Sequence, residues 1–433
     1  MDDPTSLLLG LDEYVVVDVQ RVDPKVVRVV IETKEDAAAC PECGVWTTRV
    51  KDRPRCRIRD LLASGQRVEL WCRKRRLLCG ERLCGERLCP RRSFTQHTIQ
   101  LPARARVTTR LRAKVAEAIA ISNRAVTEVG REYGVGWHTA HQALVAAAAK
   151  WLPEPDPTPV LGIDETRARR VRWILEEAGW KRCDPWLTSF VDARPDAPGR
   201  LLGLAPGRSG QCVKDWLGEQ TPKFRHAVEV VVIDPSAPYA SGVRAALPQA
   251  RIAVDHWHLV RLANQMVTDV RQRVTRQRHG RRGRKVDAAW AHRHLLLTAG
   301  DRLSAKQLTR LSRVFDQDDP TEEIAAAWAC KELLRQLLAE RDPDRVRHRL
   351  WRFYDACARV EIPEVERLAT TIETWWPAIA VFLELGVTNA RTEGYNRIIK
   401  QTKQVACGFR NIDNYQRRIL AHIAVTRRDQ PPA

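Results

Sequence analysis

The chain has 433 residues, room for two to four domains, and its 44% apolar and 29% charged content is that of a folded globular protein. Seventy-three Lys and Arg against 53 Asp and Glu leave a net charge of +20. Such a balance favours polyanionic partners, because each phosphate contact releases condensed counterions. No run of about twenty apolar residues occurs, so no membrane-spanning helix and no membrane partner is expected. The acidic start MDDPTSLLLG lacks the basic region of a signal peptide, which points to the cytoplasm, at the nucleoid, and to reduced cysteines.

Residues 12–33 read as two Val-rich strands, and seven of the twelve cysteines then fall between Cys40 and Cys89. Cys40-Pro-Glu-Cys43 is a CxxC knuckle, able to fill two corners of a tetrahedral Zn²⁺ site from one tight turn. The second pair comes from Cys79, Cys84 and Cys89, which a tandem CGERL repeat spaces evenly. Cys84 with Cys89 is the expected choice, because Cys89-Pro-Arg-Arg-Ser-Phe continues into the next segment. Cys56 and Cys72 read as ordinary thiols, and a redox role for Cys40 lacks its strand–helix context. Arg49, Lys51, Arg53, Arg55, Arg57, Arg59 and the run Arg73–Arg76 surround this structural zinc module and suggest DNA contact.

From Ala103 to Trp151 the pattern is helical. Residues 125–144 read as a helix-turn-helix, with Gly134 supplying the left-handed turn residue. Its second helix starts near Trp137, so Trp137, His138, Thr139, His141 and Gln142 are candidates for reading base edges. An ordinary helical hairpin would share the pattern. The Pro-rich linker PEPDPTP follows at residues 153–159.

Beyond the linker, strands and helices alternate. VLGIDET, WLTSFVDA, LLGLAPG, VEVVVIDP and ARIAVD read as strands, some with the continuous apolar runs of strands buried on both faces. From about Leu259 to Leu385 the chain reads as almost wholly helical. That part includes residues 271–285, with eight Lys or Arg and no acid. Arg278, Arg281, Arg282 and Arg284 are candidate DNA contacts on a segment expected to be ordered by DNA; a solvated loop is the alternative. A helix and a basic tail follow from Thr388.

Asp164 and Asp234 each stand where an apolar strand is expected to end, and Glu393 lies on the helix TNARTEGYNRIIKQTK. Three carboxylates from two strand ends and one helix are a donor set for two Mg²⁺ ions, which take oxygen ligands and keep open positions for phosphate and water. Strand alternation points Glu165 away from Asp164. Asp192 and Asp255 also end apolar runs and are rival candidates.

The strings LGIDET, PGRS (206–209), VVIDPSAPYASGVRAALPQARIAVDHWHLV and TNARTEGYNRIIKQTKQVACGFRN resemble bacterial insertion-sequence transposases of the ISL-three family, within the Asp-Asp-Glu superfamily. The order of parts is similar as well, and the likeness covers nearly the whole chain. It implies a multidomain α/β protein: an N-terminal zinc-binding module and helix-turn-helix, then a ribonuclease-H-like core interrupted by an all-helical insertion. It also implies catalytic acids at Asp164, Asp234 and Glu393 holding Mg²⁺ or Mn²⁺, with Asp255 and His258 of the DHWH string in supporting roles. The expected boundaries are 1–102 (zinc module), 103–152 (helix-turn-helix), 153–262 (first part of the core), 263–385 (helical insertion) and 386–433 (Glu-bearing helix and basic tail). The implied activity is DNA transposition: recognition of insertion-sequence ends, metal-dependent strand cleavage and strand transfer. Partners are double-stranded DNA, both element ends and target, and further copies of the chain as a homodimer or larger assembly. A non-catalytic regulator descended from a transposase is the alternative, against which the intact set of three acids stands. A structure-selective nuclease is a third, against which the N-terminal DNA-reading modules stand.

Overall fold

The structure, a computed structural model, describes residues 4–62, 67–80, 82–83, 86–87, 89–152 and 154–428. The Val-rich alternation near the N-terminus forms a hairpin, β1 (Tyr14–Asp23) pairing antiparallel with β2 (Val26–Thr33). Strands β3 (Arg55–Ile58) and β4 (Arg67–Arg73) complete a sheet of order β1-β2-β4-β3. One face buries Tyr14, Ile31, Ile58 and Leu70. Beside it, β5 (Arg76–Leu78) sits between the short strands Ser93–Thr95 and Val50–Asp52.

Three helices follow: α1 (Thr109–Ala120), α2 (Val126–Glu132) and α3 (Trp137–Trp151). Thr108 caps α1 by accepting a hydrogen bond from Leu111 N, which satisfies an otherwise orphaned donor. Between α2 and α3 the chain turns at Gly134, whose φ of 63° is the left-handed region expected there. Leu111, Val115, Ile119, Val129 and Leu144 fill the centre of the cluster, joined by Ala421 of the C-terminal helix Ile412–Arg428. That helix is tied in by polar contacts too. The buried Arg418 donates to Arg124 O at 2.6 Å, and His422 Nδ1 lies 2.6 Å from Ala120 O. Sequence reading saw only a basic tail here.

By its internal contacts the chain forms two compact units, one of described residues up to Leu152 and from Thr402, the other running from Glu154 to Gln401. The second unit is built on β6 (Val160–Arg167), which pairs antiparallel with β9 (Trp186–Asp192), itself antiparallel to β10 (Arg200–Pro206). On its other side β6 runs parallel to β11 (Val230–Ile233), and β11 parallel to β12 (Arg251–Val254), giving the order β10-β9-β6-β11-β12. Between β6 and β9 the chain makes a separate two-stranded hairpin, β7 (Arg172–Glu176) with β8 (Gly179–Cys183). No such hairpin was expected.

Helices α4 (Gly210–Gly218) and α5 (Ala237–Ala246) meet where a Cβ on Gly210 or Gly242 would run into the other helix's backbone. Trp216 of α4 stacks on Phe190 of β9 with ring centroids 3.8 Å apart. Burial of an aromatic side chain of this kind contributes about 1.5–3 kcal/mol. The remainder is helical, as the sequence suggested: α6 (His256–His279), α7 (Glu323–Ala339), α8 (Pro343–Arg359) and α9 (Pro363–Leu385), with shorter helices between α6 and α7. Lys331 is fully buried in this part, where its Nζ satisfies the carbonyls of Leu296 and Thr298 at 2.8 and 3.0 Å and pairs with Glu332. Helix α10 (Ala390–Val405) follows.

Candidate active site

Strand β6 does not stop at Ile163, where sequence reading ended it; it continues through Asp164 to Arg167. Its parallel register with β11 matches Gly162 to Val232, so Asp164 is level with Asp234, which directly follows Ile233. Alternation then divides the neighbours. On one face Glu165 shares its register with Thr188, whose Oγ1 lies 2.8 Å from Tyr239 Oη on α5. On the other face Asp164 meets α10. Asn396 Nδ2 donates to Asp164 Oδ2 at 2.7 Å, and Ser189 Oγ lies 3.1 Å from both Asn396 Oδ1 and Asp164 O. Glu393 stands three residues before Asn396 on that helix, hence on the same side.

Helix α10 can lie so close to β6 because residue 162 is glycine. A Cβ there would collide with Thr392 Oγ1 and come within 2.9 Å of Asn389 Oδ1. Asn389 also donates to Ile163 O at 3.1 Å, pinning the start of α10 to the strand. Asp255 joins the same framework. Its Oδ1 accepts from Trp257 N at 3.0 Å, capping α6, and its Oδ2 accepts from Asn389 N at 3.1 Å. These bonds hold Asp255 ionised well below the ordinary carboxylate range although burial opposes it, the side chain of His256 contributing most.

His258, in the first turn of α6, reaches two of the three acids. Its Nε2 lies 3.0 Å from Asp234 Oδ1 and 4.0 Å from Glu393 Oε1. Burial disfavours a charge on this imidazole, but the hydrogen bond and charge of Asp234 outweigh it and raise its pKa. Asp164 responds in the opposite sense to an ordinary acid. Burial, and then repulsion from Asp234, push it up to about 7. The three expected acids and His258 are thus brought together, with Asp255 a shell outward. Asp192 is not among them: it is buried in an ion pair with Arg194 at 2.7 Å and accepts from Thr158 at 2.8 Å. Sequence reading missed Ser189, Asn389 and Asn396. The spacing of Asn396 from Glu393 on one helix face was the available signal.

The donor set suits divalent cations. Asp234 Oδ1 is shielded from solvent with His258 Nε2 3.0 Å away, and Asp164 beside it is destabilised as an anion. Carboxylate oxygens alone are hard ligands of the Mg²⁺ kind.

In the first unit the sulfurs of Cys40, Cys43, Cys79 and Cys89 lie within 4.8 Å of one another. Cys40 and Cys89 are 3.9 Å apart, Cys43 and Cys79 3.6 Å. Four thiolates at about 2.3 Å from one Zn²⁺ stand about 3.8 Å apart, so the set fits a structural zinc. Burial works against ionising Cys40, yet the backbone N–H groups of Cys43 and Glu42 bring it down to about 7. Among the described residues Cys79 completes the set with Cys40, Cys43 and Cys89; the expected ligand Cys84 lies outside the described residues. Strand β5 delivers Cys79 directly, since Leu77 packs with Phe94 and Cys40 and Cys79 N bonds Arg92 O at 3.2 Å. Cys56 and Cys72 face each other across β3 and β4, away from this set.

On α3, Trp137, His138 and Gln142 are exposed, and Thr139 and His141 half-buried. His141 stacks on Trp137 with 4.8 Å between ring centroids. Burial, then the nearby Arg417 of the C-terminal helix, lower the His141 pKa. The basic stretch 271–285 is structured rather than a loop. Most of it is the last part of α6, which stops at Gly280 with φ 59°. Arg278 contacts Gln317 O and Asp318, and Arg281 holds Asp287 at 2.8 Å; Arg282 and Arg284 are exposed.

A transposase family of the ISL3 type matches residues 161–419, from β6 through α10 into the C-terminal helix. The zinc finger of the IS204/IS1001/IS1096/IS1165 transposases matches residues 36–84. The chain belongs to the ISL3 family of DNA transposases. It is 24% identical over 385 residues to the transposase for insertion sequence element IS1001 of Bordetella parapertussis, covering 88% of both chains. No helix among the described residues is long and apolar enough to cross a membrane.

Proposed function

We propose that the chain recognises the ends of its insertion sequence and carries out metal-dependent strand cleavage and strand transfer with Asp164, Asp234 and Glu393 as its catalytic acids. The observation that carries this reading is the meeting of those three side chains around His258 at one end of the sheet's central strands. Two Mg²⁺ ions, or Mn²⁺, held by the three carboxylates would activate the attacking oxygen and stabilise the leaving one during in-line displacement at phosphorus. The protein's own groups hold this set in place: Asn396 and Ser189 orient Asp164, His258 orients Asp234, and Asp255 with Asn389 fixes the start of α10. The mixed sheet with antiparallel β10-β9-β6 and parallel β6-β11-β12 supports a ribonuclease-H-like core, with helices α6 to α9 as the insertion.

Helices α2 and α3 then act as the helix-turn-helix, with Trp137, His138, Thr139, His141 and Gln142 facing the major groove. Arg278, Arg281, Arg282 and Arg284 add phosphate contacts, chiefly through the exposed Arg282 and Arg284. Two or more copies assemble on the DNA. The test is cleavage of a labelled DNA end by the purified full chain. Cleavage should require Mg²⁺ or Mn²⁺ and vanish in Asp164→Asn and Glu393→Gln, while both variants still bind the end. Binding without cleavage by the wild type in either metal would instead favour a regulator.

A further inference from the structure

The hairpin β7–β8 is the part of the second unit with no evident structural duty. It forms a sheet of its own, and every residue of β7 is exposed. Isolated two-stranded hairpins are marginal in water, and one that exposes large apolar side chains is expected to meet a partner. Its register pairs Trp173 with Arg182 and Leu175 with Trp180, so Trp173, Leu175, Trp180 and Arg182 share one face. Trp173 is 58% exposed, Leu175 64% and Trp180 68%. The other face carries Arg172, Ile174 and Lys181, with Lys181 tied to Glu176 at 3.1 Å. Arg170, Arg172 and Arg182 are exposed and pair with no acid among the described residues.

Strand continuity fixes where this hairpin springs from. Beyond Asp164, β6 runs three residues to Arg167, which pairs with Trp186 as β9 returns. At about 3.3 Å per residue, the end of β6 lies about 10 Å along the strand from Asp164; residues 168–171 then lead into the hairpin, whose β7 spans about 17 Å. That span corresponds to several base steps of DNA, at about 3.4 Å per nucleotide along a strand.

We propose that the β7–β8 hairpin is a DNA-engaging arm whose Trp173 and Trp180 stack on unpaired bases flanking the phosphate that is cut. This rests on the reading of Asp164, Asp234 and Glu393 as the cleavage site. The charge favours a polyanion over another protein surface: three unpaired guanidinium groups border an aromatic face. Aromatic planes beside free cations are the means by which proteins hold unstacked bases without reading their identity. Arg170, Arg172 and Arg182 grip the strand's phosphates while the indoles receive bases that have left the duplex.

The experiment uses the full chain and duplex element ends carrying 2-aminopurine at successive positions flanking the cleaved phosphate. In the wild-type complex one or more of these probes should change fluorescence as its base unstacks, and in Trp173→Ala/Trp180→Ala that change should be lost. End binding should stay within about two-fold, because α3 is untouched. Cleavage of fully paired ends should fall about ten-fold or more and recover on ends whose flanking bases are mismatched. Since both indoles are exposed, zinc content and thermal unfolding should not move. Unchanged probe signals and cleavage in the double variant would overturn the proposal. So would a lower sedimentation coefficient with probe signals intact, which would make the face a contact between copies of this chain. Failure of the underlying reading is distinguishable, because Asp234→Asn would then still cleave whatever the hairpin carries.

Discussion

The four thiols of the first unit all come from between Cys40 and Cys89, gathered by one knuckle and a few short strands. The acids of the second unit come from β6, β11 and α10, with the entire helical region from α6 to α9 lying between Asp234 and Glu393. Both are clusters of anionic donors whose mutual repulsion a cation would relieve. They differ in what assembles them. Closing short loops costs little entropy, so a metal can organise the thiols nearly alone. The carboxylates lie far apart in the chain, and packing must bring them together before any ion binds. Removing the ion should therefore disturb the first cluster's fold most, and removing packing should disturb the second's.

The sharpest contrast is at the ligands themselves. Asp234→Asn keeps shape but removes charge, and should lower metal-dependent cleavage by at least about 10³-fold, roughly 4 kcal/mol of barrier. Zinc content and thermal unfolding should be unchanged. Cleavage at wild-type rate would break the assignment of this acid. In the first unit, Cys40→Ser or Cys79→Ser should abolish zinc binding, expected at about one zinc per chain in the wild type, and with it the folding of residues around the knuckle. Cys56→Ser should retain the metal. A chelator should likewise melt this module while the second unit's unfolding transition stays in place.

A smaller effect is expected at Asp192, which resembles the proposed catalytic acids in sequence but is held by Arg194 and Thr158. Asp192→Ala leaves Arg194 and Thr158 without their partner and should cost about 3 kcal/mol in denaturant unfolding of the second unit. Burial works against the Asp192 charge, but Arg194 and Thr158 prevail and depress its pKa. Its stabilisation is therefore present above the ordinary Asp range and fades as pH falls through the lower folded value. Asp192→Ala should correspondingly flatten the acid limb of the stability profile; an unchanged limb would rule out this ion pair as its source. Smallest in stability is Gly162→Ala, about 2 kcal/mol, because Thr392 and Asn389 must give way. Its cleavage should fall far more than its melting temperature, since the shift displaces α10 and Glu393 with it. Equal losses in both would mean that the glycine serves packing alone.

Much of this was legible in the residues. The strands of residues 12–33, the start of the strand at Val160, the helices from Leu259 to Leu385, the left-handed Gly134 and the CxxC knuckle are local signals, carried by side-chain period, turn chemistry or ligand spacing. The three proposed catalytic acids were picked out through their strings rather than through any property of a lone aspartate after a strand. Taken singly, Asp192 and Asp255 look the same as Asp164, and only their partners separate them: an arginine for one, backbone N–H groups and His256 for the other.

What the sequence by itself determined is the set of elements and the chemical types of the donors, because both follow from interactions within a few residues. Tertiary structure decided which donors meet. Cys79, Cys84 and Cys89 are evenly spaced along the chain, and the pairing of β5 is what brings Cys79 beside Cys40, Cys43 and Cys89. Ser189, Asn389 and Asn396 became site residues only when α10 crossed β6 over Gly162. The C-terminal helix joined the α1–α3 cluster through Ala421 and Arg418, a contact between segments hundreds of residues apart that no local pattern encodes. The physical reason is common to all of these. Periodicity reports which face of an element is apolar, but the identity of what covers that face depends on long-range packing that the whole chain must satisfy at once.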